Sequence, residues 1–158
     1  MSHHAITVTV NGRLVHADVP ARRMLSDFLR HDLHLTGTKR GCETGVCGAC
    51  SIMLDGELVK SCLLLAVHVD GANIMTVEGL ADGDTLHPLQ ESFMHCGGLQ
   101  CGYCTPGMLM ASYALLQDNP SPTVEEVQQG LNGNLCRCTG YTQIIESVLD
   151  AAEPLRGN

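Results

Sequence analysis

Gly41-Cys42-Glu43-Thr44-Gly45-Val46-Cys47-Gly48-Ala49-Cys50 sets three thiols within nine residues, and Cys62 follows a short way on. Three thiolates so close can wrap one edge of a small metal core while a fourth arrives from a neighbouring strand. The spacing C-x4-C-x2-C with a distant fourth cysteine is that of a plant-type [2Fe–2S] loop, in preference to zinc or a disulfide. Gly41, Gly45 and Gly48 let the backbone bend tightly and aim N–H groups at sulfur. Val46 and Ala49 are expected to form an apolar collar.

The flanking sequence reads as β-rich. Ile6–Val10 alternates with period two, Asn11-Gly12 is a hairpin signal, and Leu14–Val19 supplies the return strand. Met24, Leu25, Phe28 and Leu29 recur at helical spacing and predict a helix over 21–31. Ser51–Leu54 and Leu58–Ser61 form a second hairpin around Asp55-Gly56-Glu57, and Ile74–Val77 a last strand. Two hairpins flanking a helix predict a β-grasp arrangement.

Around Gly79–Asp84 the pattern turns helical. Leu86–His95 is one predicted helix, with Leu86, Leu89, Phe93 and Met94 facing inward. Thr105-Pro106 opens another, Thr as cap and Pro at the first helical position, running to Gln117. Thr123-x-x-Glu126 is a capping box for a third helix ending near Gly130. Ile144, Ile145, Val148 and Leu149 share one face of a fourth. The fold class expected is therefore α+β, with a β-grasp domain over 4–80 and a four-helix bundle over 84–153.

A second constellation lies in the helical half: Cys101-x2-Cys104, with Cys136-x-Cys138 further on. Cys101 and Cys104 precede a helix N-terminus, where the dipole favours thiolate. Cys136 and Cys138, at i and i+2 of an extended turn, point the same way. Spacing alone leaves this quartet open to zinc as well as iron–sulfur. A dithiol redox pair lacks the βαβ context it needs.

Composition narrows the classes. The 158 residues carry a net charge of −8, no Trp, two Phe and three Tyr, so the core must be built from Leu, Val, Ile, Met and Ala. No basic stripe suggests a nucleic-acid partner, and no run approaches the roughly 20 apolar residues of a membrane span. Met1–Thr7 shows no charged segment followed by an apolar one, and Arg22-Arg23 is not followed by an apolar run, so a cytoplasmic location is expected. There, nine cysteines read as metal or redox sites before disulfides. Cys96, outside both quartets, is expected to be a buried structural thiol. His31 and His34 are expected to be solvated, His87 to pack at a helix start, and no Cys-x-His pair supports a Rieske centre.

From Ile6 to Val148 the sequence resembles the iron–sulfur small subunit of the xanthine oxidase family of molybdenum hydroxylases. The resemblance rests on Gly41–Cys50, Thr76-Val77-Glu78-Gly79-Leu80, Gln100-Cys101-Gly102-Tyr103-Cys104-Thr105-Pro106-Gly107 and Gly133-Asn134-Leu135-Cys136-Arg137-Cys138-Thr139-Gly140-Tyr141. Glu43 stands where Asp is commoner. The resemblance implies two [2Fe–2S] clusters. One is held by Cys42, Cys47, Cys50 and Cys62 in a plant-ferredoxin-like domain, the other by Cys101, Cys104, Cys136 and Cys138 in the helical bundle. It also implies that Gln100 and Cys138 touch a molybdopterin-type cofactor, in its cytosine dinucleotide form, held by a large molybdenum-binding subunit. A medium FAD-binding subunit is the implied acceptor, in a heterotrimer or a dimer of heterotrimers. No flavin fingerprint or catalytic carboxylate pair appears in the chain itself. The rival readings are a free-standing ferredoxin-like carrier and a zinc-stabilised interaction module.

Overall fold

The structure, a computed structural model, describes residues 2–153. β1 (His3–Val10) and β2 (Arg13–Pro20) pair antiparallel. Asn11 and Gly12 between them both sit at positive φ, 49° and 76°, the geometry whose twist suits a two-residue hairpin loop. β3 (Ser51–Leu54) and β4 (Glu57–Lys60) form the second hairpin. β5 (Asn73–Met75) lies between, parallel to β1 and antiparallel to β3, giving the order β2-β1-β5-β3-β4. This is the β-grasp sheet, with strand ends shifted from expectation: β4 starts at Glu57, and Val77–Gly79 leaves the sheet as a 3-10 turn.

The helix expected over 21–31 is shorter. It begins with α1 (Leu25–Asp27) and continues as a π-helical turn, Phe28–Asp32, closed by the Leu33 N–H on the Phe28 carbonyl. The cause is non-local. Met24 forms a β-bridge with Leu65, and the Leu25 N–H donates to the Leu64 carbonyl at 2.7 Å. That strand-like contact holds Met24 extended, so helical structure starts only after it.

The helical half contains α2 (Pro88–His95), α3 (Thr105–Asp118), α4 (Val124–Gly130) and α5 (Thr142–Ala152). α4 carries the expected Thr123/Glu126 capping box. α2 starts later than Leu86 because His87 is its cap: Nδ1 accepts from the Leu89 N–H and the His87 N–H donates to Gln90 Oε1. Leu86 and Met94 are correspondingly exposed, at 38% and 63%, against the inward placement expected for them. Cys104 takes the N-cap position of α3 without a side-chain cap hydrogen bond, and Thr105, expected as the cap, is already helical.

Two cores result. Ile6, Val8, Val10, Leu25, Phe28, Ile52 and Ile74 fill the first, between sheet and α1. Leu89, Phe93, Met108, Met110, Ile144 and Val148 fill the second, between the helices. Alternation along β3 joins them: Ile52 faces the first core, while Met53 faces the second, as neighbouring strand residues must.

Candidate metal centres

The first quartet is assembled by a loop that leaves α1 and enters β3, and by a 3-10 turn, Ser61–Leu63, after β4. Glu43, Gly45 and Gly48 have φ of 58°, 79° and 73°, so the loop folds back on itself repeatedly. Arg40 anchors its start through Asp27 and Glu43. The loop directs backbone donors onto one sulfur: the N–H groups of Thr44 and Cys47 lie 3.4 and 3.3 Å from Cys42 Sγ. Cys50 and Cys62 are buried and adjoin one another. A Cβ on Gly41 would stand 2.8 Å from Cys47 Sγ, so any larger residue there would have to displace that sulfur. Ala49 is buried as expected of a collar, but Val46 is 63% exposed and turns outward.

The second quartet joins the loop before α3 to the turn before α5. Cys101 Sγ and Cys138 Sγ are 3.6 Å apart at the exposed side. Cys104 and Cys136 form a second pair further in. Thr139 gives Cys136 Sγ its N–H at 3.4 Å, with its hydroxyl at 3.2 Å. Tyr141, in the left-handed region at φ 71°, staples the turn. Its hydroxyl accepts from the Cys136 N–H at 3.0 Å and donates to the Asn134 carbonyl at 3.1 Å. A cavity of about 140 Å³ is lined by all four of these cysteines together with Gln100 and Arg137.

Electrostatics divides the thiols. Hydrogen bonds from the Thr44 side chain and N–H, then from Cys47, hold Cys42 down to about 6. Burial first, and the adjacent Cys50 next, push Cys62 up to about 11. Burial first, then Cys136, pushes Cys104 up to about 12. Burial opposes ionisation of Cys136 too, but hydrogen bonds from Thr139 hold it below the ordinary thiol value. Raised thiols of this kind ionise when a cation supplies the charge.

The donor set fits [2Fe–2S] better than a lone ion. Four thiolates on one zinc, at about 2.3 Å each, would all stand about 3.8 Å from one another. In the second quartet the sulfurs stand in twos instead, Cys101 with Cys138 and Cys104 with Cys136, as two irons per core would want them. N–H groups aimed at sulfur, a weak acceptor as a thiol, suit thiolate ligands.

Sequence reading missed the joints between the two loops. The Tyr103 hydroxyl, in the second, donates to the Arg40 carbonyl beside the first at 2.6 Å. The Asn134 amide reaches the Gly48 carbonyl at 3.0 Å. Asn132-Gly133-Asn134 is visible in sequence only as a turn. Cys96, expected to be buried, is half-buried at the end of α2. His31 and His34 are exposed, and His87 packs edge-on against Tyr113 with ring centroids 5.6 Å apart.

Residues 8–76 match the family described as 2Fe-2S iron-sulfur cluster binding domain, and residues 76–149 the one described as [2Fe-2S] binding domain. The chain belongs to the iron–sulfur small subunits of the xanthine oxidase family of molybdenum hydroxylases, as a non-catalytic subunit of an oxidoreductase complex. It is 59% identical over 146 residues to the nicotine 6-hydroxylase small subunit of Paenarthrobacter nicotinovorans, spanning 92% of this chain and 88% of that one. It superposes on a chain of quinoline 2-oxidoreductase from Pseudomonas putida 86 with a TM-score of 0.94 at 47% identity, covering 98% and 96% of the two. It also matches aldehyde oxidoreductase from Desulfovibrio gigas at TM-score 0.92 and 44% identity, covering 98% of this chain but 17% of that longer one. Among the described residues no helix is long and apolar enough to cross a membrane.

Proposed function

We propose that this chain relays electrons, one at a time, from a molybdenum–pterin centre in a large subunit to a flavin subunit or another acceptor. One [2Fe–2S] cluster is assigned to Cys42, Cys47, Cys50 and Cys62 in the domain over 4–80. The other is assigned to Cys101, Cys104, Cys136 and Cys138 in the domain over 84–153. The observation that carries this reading is the pairing of Cys101 with Cys138, Cys104 with Cys136 and Cys50 with Cys62, with N–H donors already directed at Cys42 and Cys136. Each bound cluster takes up and releases a single electron, so two of them in series suit a two-electron oxidation performed elsewhere.

The chain's own residues supply the route and the docking face. Cys101 and Cys138 open to the surface, beside the exposed Tyr103 and Leu135 that line the same cavity. Exposed apolar side chains around a redox thiol pair suit burial against a partner. Gln100 lines the same cavity, and we assign it with Cys138 to contact a molybdopterin cofactor of the cytosine dinucleotide form. The fused arrangement in the Desulfovibrio gigas chain supports a large partner closely joined to this module. The other face, around Gly45–Gly48 with exposed Val46 and Leu63, is assigned to the FAD-binding subunit or other acceptor, in a heterotrimer or its dimer. Nine free thiols suit a reducing cytoplasm.

Elemental analysis of the native chain tests the reading. Two quartets should hold about four iron and four acid-labile sulfides, with negligible zinc, and the reduced protein should give two distinct S = 1/2 resonances. Stoichiometric zinc, or a colourless protein, would sink the assignment for the quartet concerned.

A further inference from the structure

The turn Asn132–Leu135 and the loop around Gly48 meet backbone to backbone. A Cβ on Gly48 would lie 2.3 Å from the Gly133 carbonyl, and one on Gly107, in the first turn of α3, 2.2 Å from the Gly48 carbonyl. No side chain larger than hydrogen fits at either place. The Leu135 N–H donates to the Cys47 carbonyl at 2.9 Å. One hydrogen bond thus separates a first-quartet cysteine from the neighbour of a second-quartet cysteine.

Asn134 sits at the centre of this contact and is 3% exposed. Its Nδ2 lies 3.0 Å from the Gly48 carbonyl and 3.5 Å from Ser51 Oγ, while Ser51 Oγ donates to the same carbonyl at 2.8 Å. Its own backbone is fixed at both ends, by the Leu131 carbonyl at 2.9 Å and by the Tyr141 hydroxyl at 3.1 Å. A buried amide is costly unless its hydrogen bonds are made, and neither thiol quartet needs an amide as a ligand. The side chain serves the joint between the loops.

We propose that Asn134 is a positioning residue that holds the two cysteine loops at a fixed spacing, and thereby sets electron exchange between the centres they bind. The inference rests on the reading that each quartet holds a [2Fe–2S] cluster. By gripping the Gly48 carbonyl, Asn134 keeps the Cys47 carbonyl on the Leu135 N–H, a route of one hydrogen bond and one peptide link from Cys47 to Cys136. One electron leaves the reduced centre and enters the oxidised one. No bond forms or breaks and no proton is required.

The test uses the full chain carrying its clusters, as native protein and as Asn134→Asp. The variant keeps the size of the side chain but turns a carboxylate oxygen toward the Gly48 carbonyl. Iron and sulfide are measured first. Paramagnetic resonance then follows with both centres reduced by dithionite, and hydrogen exchange is measured at the Leu135 amide. The expected result is native iron content, each resonance at its native field position, a reduced magnetic splitting between the centres and a faster-exchanging Leu135 amide. Gly107→Ala pushes the same carbonyl from the opposite side and should reduce the splitting in the same way. Native splitting and native exchange in a fully loaded Asn134→Asp protein would overturn the proposal. Loss of iron from that variant would overturn it too, by making Asn134 an assembly residue of its own quartet. A native chain that lacks the iron would instead defeat the cluster reading, and the spacing argument with it.

Discussion

Cys96 shows how a single environment separates a spare thiol from a ligand. It lies against α5, where burial and the carboxylates of Asp150 and Glu146 raise it above the ordinary thiol value. Cys62 and Cys104 are raised as well, so what sets Cys96 apart is its company: Asp150, Glu146 and Ser147 face it, where another cysteine adjoins each of those two. Cys42 lies at the opposite extreme, with two N–H groups and a hydroxyl turned to it. The Cys96→Ser variant should therefore keep native iron and sulfide and both resonances, since a serine hydroxyl can keep the polar contacts with α5. Iron loss from it would mean that the second quartet is wrongly composed. At this scale the sequence was largely legible: all eight quartet cysteines fall into two groups, because short spacings and glycines constrain a loop directly. The outward turn of Val46 was not legible. Nothing local tells which way a loop side chain points once the backbone doubles back at Gly45 and Gly48.

Elements were legible where their signals are local. Thr123 and Glu126 lie three apart in sequence and cap α4 as that spacing dictates. The start of α2 was missed because His87 does the capping, a role more often filled by Ser, Thr, Asp or Asn. α1 was overextended because the bridge from Met24 to Leu65 joins segments far apart in the chain. The cap on α2 also carries a pH dependence. Burial lowers His87 from its ordinary value of 6.5, and Nδ1 must be unprotonated to accept from Leu89. Between the folded value and 6.5 the unfolded chain binds the extra proton, so stability rises with pH across that window. The contribution is complete above 6.5 and is lost as the pH falls below it. His87→Asn retains an acceptor that does not titrate, and denaturant midpoints of this variant should vary less between pH 7.5 and pH 5 than the native ones. His87→Ala should cost about 1 kcal/mol at the upper pH, the usual worth of a lost cap. An equal pH slope in the native and Asn proteins would remove His87 from the account.

At the scale of the molecule, two cores share one strand, and two cysteine loops meet across a few hydrogen bonds. This is what the sequence could not convey: Gly48, Gly107 and Asn134 read separately as a bend, a helix residue and a turn, and only the packing of α3 on β3 brings them together. The question is whether so close a joint lets the quartets assemble independently. Cys47 decides it, because the residue has two separable roles. Its sulfur belongs to the first quartet, while its carbonyl accepts from Leu135 at the edge of the second. Cys47→Ala deletes the sulfur and keeps the carbonyl. Cys101, Cys104, Cys136 and Cys138 retain their own fixings, Thr139 on Cys136 and Tyr141 on the turn, none of which involves the Cys47 side chain. Iron should then fall to about two per chain, one [2Fe–2S] core remaining. One of the two resonances should vanish while the other keeps its field position. The remaining resonance should also lose any splitting that came from its neighbour. Equal loss of both resonances would show that the second quartet assembles only on a completed first one, and that the joint at Gly48 transmits folding as well as position.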